Sequence, residues 1–262
     1  MSSPGWPNIA IIGTAVFLYI LKLLGSHNFE LCLCSLDIQA NSTKLIEAPD
    51  ISNVPSEYHK FVNVFSKTKA ETLLPHHPYD FKINLEEGTQ PPVGPIYSLL
   101  ASKQEALKKF IKENLNMGFI QPTSSLHSVL VLFVKKKDGS LCLYVDFHSL
   151  NCISKKDCYP LLLISDLLYS PHKAWVYSKI NLYHTYYLVC IANSDEWKTA
   201  FRTCYRLFKW SVMPFSLTNT SMAFQQFMND IFSDLLDVCI MIYLDDILIY
   251  SNNMSEHHQH VK

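Results

Sequence analysis

The sequence is short of arginine. Only Arg202 and Arg206 among its 22 basic residues are arginine, and the others are lysine. Because 23 acidic residues bring the formal net charge to −1, the chain has no overall basic field of the kind that attracts nucleic acid. Charged residues make up 17% of the chain and hydrophobic residues 48%. This balance excludes a disordered protein and indicates a globular one with a substantial core.

The sequence also lacks the paired cysteine spacing of a structural metal site. Cys32 and Cys34 form a C-x-C pair, and the other cysteines lie far apart. A disulfide framework is not expected in a chain of 262 residues without a clear secretory signal. We therefore expect scattered, buried thiols.

The N-terminal apolar run is too short to cross a membrane unaided. Ile9–Leu21 contains thirteen residues without a charge, whereas a transmembrane helix needs about 20. Residues 1–8 include no basic residue, which argues against a signal peptide. A core segment is the favoured interpretation. A membrane-anchored protein, held by Ile9–Leu24, is the alternative from another functional class.

Helical and strand patterns alternate irregularly along the chain, which indicates the α+β class. Ser102 and Glu105 form a capping-box pattern before a helical run that Gly118 is placed to end. Val129–Val134 and Leu141–Phe147 predict a β-hairpin around a lysine-rich turn. The other predicted elements are a short helix at Pro55–Phe65, an extended proline-rich segment at Leu74–Pro95, a short helix at Ile164–Leu168, a strand at Trp175–Tyr183, a strand pair within Lys198–Phe208, and a helix from Ser221 to about Leu236 with Phe224, Phe227, Met228, Ile231 and Leu235 on its apolar face.

Two adjacent acids, Asp245 and Asp246, interrupt two apolar runs of strand length between Val238 and Tyr250. An unpaired carboxylate in a low-dielectric core costs more free energy than packing returns. Adjacent residues of a strand point to opposite faces, so only a sharp turn lets both acids serve one site. A bound cation is the favoured reason for such a pair, and an ordinary acidic hairpin turn is the alternative.

Two smaller patterns have competing interpretations. His257-His-Gln-His260 offers imidazoles for a metal, but its spacing matches no strong ligand motif. A polar helix start is therefore favoured. Phe224, Phe227 and Phe232 are interpreted as core residues rather than as a base-stacking platform.

Several separated motifs together resemble the reverse transcriptase of gypsy-like long-terminal-repeat retrotransposons. They are Phe133–Ser140, Asp195–Arg202, Met213–Phe215, Leu217–Asn219 and Tyr243–Asp246, with Pro78–Gly88 and Gly94–Ser98 similar to the start of that domain. The resemblance covers about residues 55–262. Residues 1–54 resemble only weakly the tract between protease and polymerase in such polyproteins.

The resemblance implies a right-hand polymerase fold, with fingers and palm and an antiparallel palm sheet packed on helices. Residues 1–54 would be an N-terminal remnant or connector, possibly from the protease–polymerase junction. Residues 55–95 would be a short helix and an extended segment leading into the domain. Residues 96–262 would be fingers and palm, truncated before the thumb. The implied location is intracellular, in cytoplasm or nucleus.

The implied activity is RNA-directed DNA polymerisation. Two magnesium ions assist nucleotide transfer to a primer 3′-hydroxyl in this family, so the implied partners are an RNA template, a DNA primer and a deoxynucleoside triphosphate. Asp245 and Asp246 match the family's metal ligands and catalytic acids. The third catalytic aspartate is matched by Asn181, whose neutral amide makes the two-ion site incomplete. The residues implied to bind the nucleotide are Lys135, Lys136, Lys137, Tyr186, Phe215 and Ser216.

Other departures from the family run in the same direction. Cysteine or histidine stands where arginine is expected, and serine or arginine where glycine is expected. The positions are Cys142, His148, Cys158, Cys190 and Cys204 for the first kind, and Arg206 and Ser216 for the second. Each change, like aspartate to asparagine, is one C-to-T or G-to-A transition, which predicts a decayed, impaired copy. A non-catalytic nucleic-acid-binding remnant is the main alternative.

Overall fold

The computed structural model describes residues 56–65, 70–91, 93–94, 100–135, 141–161, 171 and 174–262. The apolar run Ile9–Leu21 and the predicted helix Ile164–Leu168 lie outside these ranges. Within them, no helix is long and apolar enough to cross a membrane. The chain divides into two compact units. Of the described residues, the central unit comprises those within Glu71–Tyr159 and His184–Phe224. The hairpin unit comprises Ser56–Phe65, Ala70 and those within Pro160–Tyr183 and Gln225–Lys262.

Helices and antiparallel strands are mixed, as the α+β prediction requires. The α-helices are α1 (Ala101–Met117), α2 (His148–Ile153), α3 (Thr220–Ile231) and α4 (Met254–His260). The strands are β1 (Ile120–Pro122), β2 (Val131–Lys135), β3 (Leu141–Val145), β4 (Val176–Asn181), β5 (Phe201–Arg202), β6 (Leu207–Trp210), β7 (Ile240–Tyr243) and β8 (Asp246–Ser251). Short 3-10 helices cover Ser56–Phe65, Thr185–Leu188 and Glu196–Thr199.

The central unit contains α1, α2 and two small sheets. One sheet has the strand order β1-β6-β5, and the other is the β2-β3 hairpin, which confirms the predicted hairpin and the predicted strand pair. Helix α1 buries Leu107 and Ile111. It ends at Gly118, whose φ of 77° lets its N–H reach the carbonyls of Asn114 and Leu115.

Two predictions about helix starts are wrong. The N-cap of α1 is Leu100, which makes no side-chain cap hydrogen bond, so Ser102 and Glu105 lie inside the helix instead of forming a capping box. Helix α3 begins at Thr220, which places Ser221 inside it. In both cases the helix begins two residues before the start that the predicted cap would give.

The hairpin unit is built on an antiparallel sheet of order β4-β8-β7. β8 is the central strand and is buried along its whole length. One face of the sheet carries a cluster of Tyr177, Met241, Leu248 and Tyr250. Helix α4, capped by the Asn253 side chain, contacts β8 and β4.

Two further predictions need correction in this unit. Helix α3 ends at Ile231, and the predicted core residues Ile231 and Leu235 are 53% and 41% exposed. The helical pattern continues in the sequence, but the chain turns after Ile231. The predicted helix at Pro55–Phe65 is a 3-10 helix with non-helical backbone at Phe61.

Candidate active site

The acidic pair lies at the β7–β8 turn. Tyr243 pairs with Asp246, so the turn itself consists of Leu244 and Asp245. Leu244 has a φ of 54°, in the left-handed region that tight hairpins require. Asp245 is exposed, whereas Asp246 opens β8 and is buried. The sequence predicted both acids in the turn, but only Asp245 lies there.

Asn181 lies directly opposite Asp246 in the β4–β8 ladder. Its Nδ2 donates to Asp246 Oδ1 at 2.7 Å and lies 3.5 Å from Asp245 Oδ2. The N–H of Leu182 donates to the Asp245 carbonyl at 2.9 Å, which holds the turn beside the end of β4. The structure thus brings together the three residues that the sequence assigned to the catalytic site.

Lys179 also belongs to this cluster, and the sequence analysis missed it. It lies two residues before Asn181, on the same face of β4. Its Nζ lies 2.8 Å from Asp246 Oδ1, and the two side chains are 6% and 10% exposed. Its signal in the sequence was a charged residue inside an otherwise uncharged strand, at a spacing of two from Asn181.

These side chains do not fit a pair of divalent cations. Two aspartates and one lysine sum to a formal charge of −1, and two magnesium ions bring four positive charges. Asp246 Oδ1 already forms an ion pair with the Lys179 ammonium and accepts a hydrogen bond from the Asn181 amide. Turning the amide over would place its carbonyl oxygen against a carboxylate oxygen, which is repulsive. The Asp246 carboxylate is therefore already paired with groups of the protein itself.

A second residue missed by the sequence analysis holds the turn from the helix side. Gln225 on α3 is fully buried. Its Nε2 donates to the Ile242 carbonyl at 3.0 Å and to Asn229 Oδ1 at 2.9 Å, and its Oε1 accepts from the Leu244 N–H at 2.8 Å. Because it satisfies backbone groups on both sides of Tyr243, Gln225 fixes the conformation of the acidic turn.

Three of the residues predicted to bind the nucleotide lie together in the central unit. The rings of Tyr186 and Phe215 meet edge to face with centroids 4.8 Å apart. Tyr186 also packs edge to face on Phe224, 5.5 Å away, and Phe215 is 51% exposed. Tyr186 is therefore fixed by aromatic packing, whereas Phe215 offers an exposed ring surface.

Ser216 follows Phe215 in a strained conformation. Its φ is 82°, a region that glycine adopts freely and other residues adopt at a cost of about 1–3 kcal/mol. Asn151 of α2 secures the loop, since its Nδ2 donates to the Ser216 carbonyl at 2.7 Å and its Oδ1 accepts from the Thr218 N–H at 2.9 Å. The backbone at Ser216 is thus suited to the glycine that the resemblance implies there.

The lysine cluster predicted to bind the nucleotide begins at the end of β2. Lys135 is the last residue of β2, but its side chain, together with Lys136 and Lys137, lies outside the described part of the structure. Their assignment stays a prediction.

The histidine-rich segment after β8 is helical, as the favoured interpretation expected. His257 is buried, with Nε2 2.8 Å from Ser178 Oγ and Nδ1 2.8 Å from Ser251 Oγ. His260 Nδ1 also lies 2.8 Å from Ser251 Oγ. These imidazoles therefore serve to attach α4 to the sheet.

Comparison with known proteins agrees with the motif pattern. A family model described as reverse transcriptase (RNA-dependent DNA polymerase) matches residues 134–262. The Transposon Tf2-3 and Tf2-7 polyproteins of Schizosaccharomyces pombe are each 31% identical over 271 aligned residues, covering 97% of this chain. The chain spans about a fifth of the length of these relatives, 20% in each case.

Two solved structures have the same fold. One is the foamy viral protease-reverse transcriptase in complex with an RNA/DNA hybrid, at a TM-score of 0.62 and 16% identity over 97% of this chain and 31% of that one. The other is a mutant of the Prototype Foamy Virus protease-reverse transcriptase, at a TM-score of 0.62 and 18% identity. The match covers 95% of this chain and 31% of that one. They confirm the polymerase fold implied by the resemblance. Residues 134–262 therefore form a reverse transcriptase domain, and the chain is similar to retrotransposon polyproteins.

Proposed function

We propose that this chain is a polymerase domain for RNA-directed DNA synthesis whose nucleotidyl transfer is strongly impaired. The observation that carries the proposal is the hydrogen bond of 2.7 Å from Asn181 Nδ2 to Asp246 Oδ1. A neutral donor occupies the position where the family resemblance implies a third carboxylate. Asp245 and Asp246 are the proposed metal ligands and catalytic acids that remain.

The size of the defect follows from charge. Reverse transcriptases generally use divalent metal ions, and magnesium favours carboxylate oxygens in octahedral geometry. The Asn181 amide supplies no negative charge, and it turns its nitrogen rather than an oxygen toward Asp246. If the loss costs about 4 kcal/mol of transition-state stabilisation, the rate falls about a thousandfold.

Binding of nucleic acid does not depend on the missing carboxylate. One structural relative was solved in complex with an RNA/DNA hybrid, and we propose the same class of partner, with a deoxynucleoside triphosphate near Tyr186, Phe215 and Ser216. The poor fit of the acidic cluster to two cations supports a second candidate, a nucleic-acid-binding domain without catalysis. The two candidates differ in whether restoring the carboxylate restores synthesis.

Primer extension on an RNA template, with Mg²⁺ or Mn²⁺, tests the proposal. We expect Asn181→Asp to raise the extension rate by about a thousandfold, because it restores the third carboxylate. Asn252→Asp, an exposed position after β8, is the matched control and should leave the rate unchanged. Adding Asp245→Asn to the Asn181→Asp chain should abolish the gain.

Two results would overturn the assignment. Extension by the unmodified chain that survives Asp245→Asn would place catalysis elsewhere. An inactive Asn181→Asp chain that still binds an RNA–DNA hybrid, with affinity falling steeply as salt rises, would leave the non-catalytic candidate.

A further inference from the structure

A cluster of three side chains of the types that ligate metals lies in the central unit, and none of them belongs to the acidic turn. His76, Asp80 and Cys190 each offer one ligand atom, and these atoms all lie within 4.8 Å of one another. The three residues come from two distant parts of the chain. An imidazole nitrogen, a carboxylate oxygen and a sulfur at one point differ from the all-carboxylate chemistry of the polymerase acids.

Backbone hydrogen bonds explain why these residues meet. The turn His77–Asp80 is closed by the Asp80 N–H donating to the His77 carbonyl at 3.0 Å. Immediately afterwards, the Phe81 N–H donates to the Cys190 carbonyl at 2.8 Å, and the Ala192 N–H donates to the Phe81 carbonyl at 2.9 Å. This parallel bridge places Asp80 beside Cys190 independently of any side-chain contact.

The side chains are also oriented toward one another. The His77 N–H donates to Asp80 Oδ1 at 3.0 Å, which leaves Asp80 Oδ2 to face His76 Nδ1 at 2.5 Å. A carboxylate held through its other oxygen is a common outer-shell arrangement of metal sites. Cys190 is 3% exposed, and its sulfur is held 3.3 Å from the Leu74 carbonyl.

We propose that His76, Asp80 and Cys190 bind one zinc ion, with water as the fourth ligand. Zinc takes nitrogen, oxygen and thiolate ligands at about 2.0–2.3 Å in tetrahedral geometry, so neighbouring ligand atoms lie about 3.3–3.5 Å apart. The present separations, from 2.5 Å to at most 4.8 Å, span that value. The His76 side chain is 43% exposed, so its ring can rotate to open the short contact with Asp80.

A reactive thiol is the competing role for Cys190, and its surroundings exclude it. Burial raises the pKa of the Cys190 thiol to about 11, and the nearby acids Asp80 and Glu196 add to the effect. Nucleophilic or redox-sensing cysteines have a lowered pKa and are accessible. Zinc also requires the thiolate, so metal binding at Cys190 must release the thiol proton.

Titration of the full chain with Co²⁺, followed by competition with Zn²⁺, tests the proposal without measuring polymerase activity. Co²⁺ bound by a thiolate gives a near-ultraviolet charge-transfer band. We expect that band to saturate at one equivalent and to disappear when Zn²⁺ is added. Cys190→Ser should abolish the band, and His76→Ala should weaken Co²⁺ binding by about tenfold or more.

Matched controls separate this site from the other thiols and imidazoles. Cys204→Ser and His148→Ala change exposed residues of the same unit and should leave the titration unchanged. Cys190→Arg should also abolish the band. Its guanidinium can pair with Asp80 and so preserve the fold, and thermal unfolding would show that the fold is kept. A folded chain without a band, or a band that survives Cys190→Ser, would overturn the proposal.

Discussion

Buried charge is arranged differently in the two units. In the central unit, Asp195 pairs with Lys198 at 2.7 Å and also accepts from the Ile83 N–H, and Glu196 pairs with Lys209. Each of these acids has its own lysine. In the hairpin unit, Asp245 and Asp246 are adjacent acids, and Asp246 pairs with Lys179 at 2.8 Å. A compensated pair stabilises structure, whereas the exposed acid Asp245 is the one that we propose provides charge for a ligand.

The largest expected effect comes from removing one lysine in each unit. Lys198→Met leaves Asp195 buried without its cation, and loss of one partner of a buried pair costs about 3–5 kcal/mol. Lys179→Met should destabilise the hairpin unit in the same way. Millimolar Mg²⁺ should restore part of the stability of the Lys179→Met chain, because Asp245 and Asp246 can share the added cation once the lysine is gone. It should not stabilise the Lys198→Met chain.

Chemical denaturation of both variants with and without Mg²⁺ measures this difference. The stability of the unmodified chain should change little with Mg²⁺, because Lys179 already pairs with Asp246. Equal recovery of both variants would show that the two arrangements of charge do not differ in function.

These contacts also show what the sequence could and could not predict. Short-range alternation and turn residues located the β2–β3 hairpin, β4 and the β7–β8 hairpin, and the motif pattern located Asn181 with the acidic pair. Lys179 and Gln225 were missed because their roles depend on pairing with elements more than fifteen residues away. The failed capping predictions at Ser102 and Ser221 have a different cause, since a polar residue near a helix start specifies the cap only to within a residue or two.

The next effect concerns the uncharged support of the acidic turn. Gln225→Leu removes the partners of the Ile242 carbonyl and the Leu244 N–H, and unsatisfied buried groups cost about 1–3 kcal/mol. Gln226→Leu is the matched control because the neighbouring glutamine is exposed. Urea unfolding should separate the two variants, and in an Asn181→Asp background Gln225→Leu should also lower primer extension. Equal stability of both variants would mean that Gln225 does not hold the turn.

A smaller effect is expected from the backbone. Each unit has a non-glycine residue with positive φ next to a residue predicted for the site. Leu244 precedes Asp245 in the hairpin unit, and Ser216 follows Phe215 in the central unit. Ser216→Gly should raise the free energy of unfolding by about 1 kcal/mol, because glycine adopts this φ without strain. Thr218→Gly, two residues away at an ordinary φ, should instead lower it by about 0.5–1 kcal/mol. A destabilised Ser216→Gly chain would contradict the assignment of strain.

The smallest expected effect is on the pH dependence of stability, and it comes from the buried imidazole of His257. In the hairpin unit, burial lowers the pKa of His257 below its ordinary value of 6.5, and His260 and His258 add to the shift. The unfolded chain therefore binds a proton at a higher pH than the folded chain does, so stability is full above about pH 6.5 and falls as the pH drops toward the folded pKa. His257→Gln should flatten this part of the stability curve, whereas His59→Gln, at an exposed position, should not. If the slope of stability against pH is unchanged in the His257→Gln chain, protonation of His257 does not loosen α4 from Ser178 and Ser251. Other groups would then control the acid response of this unit.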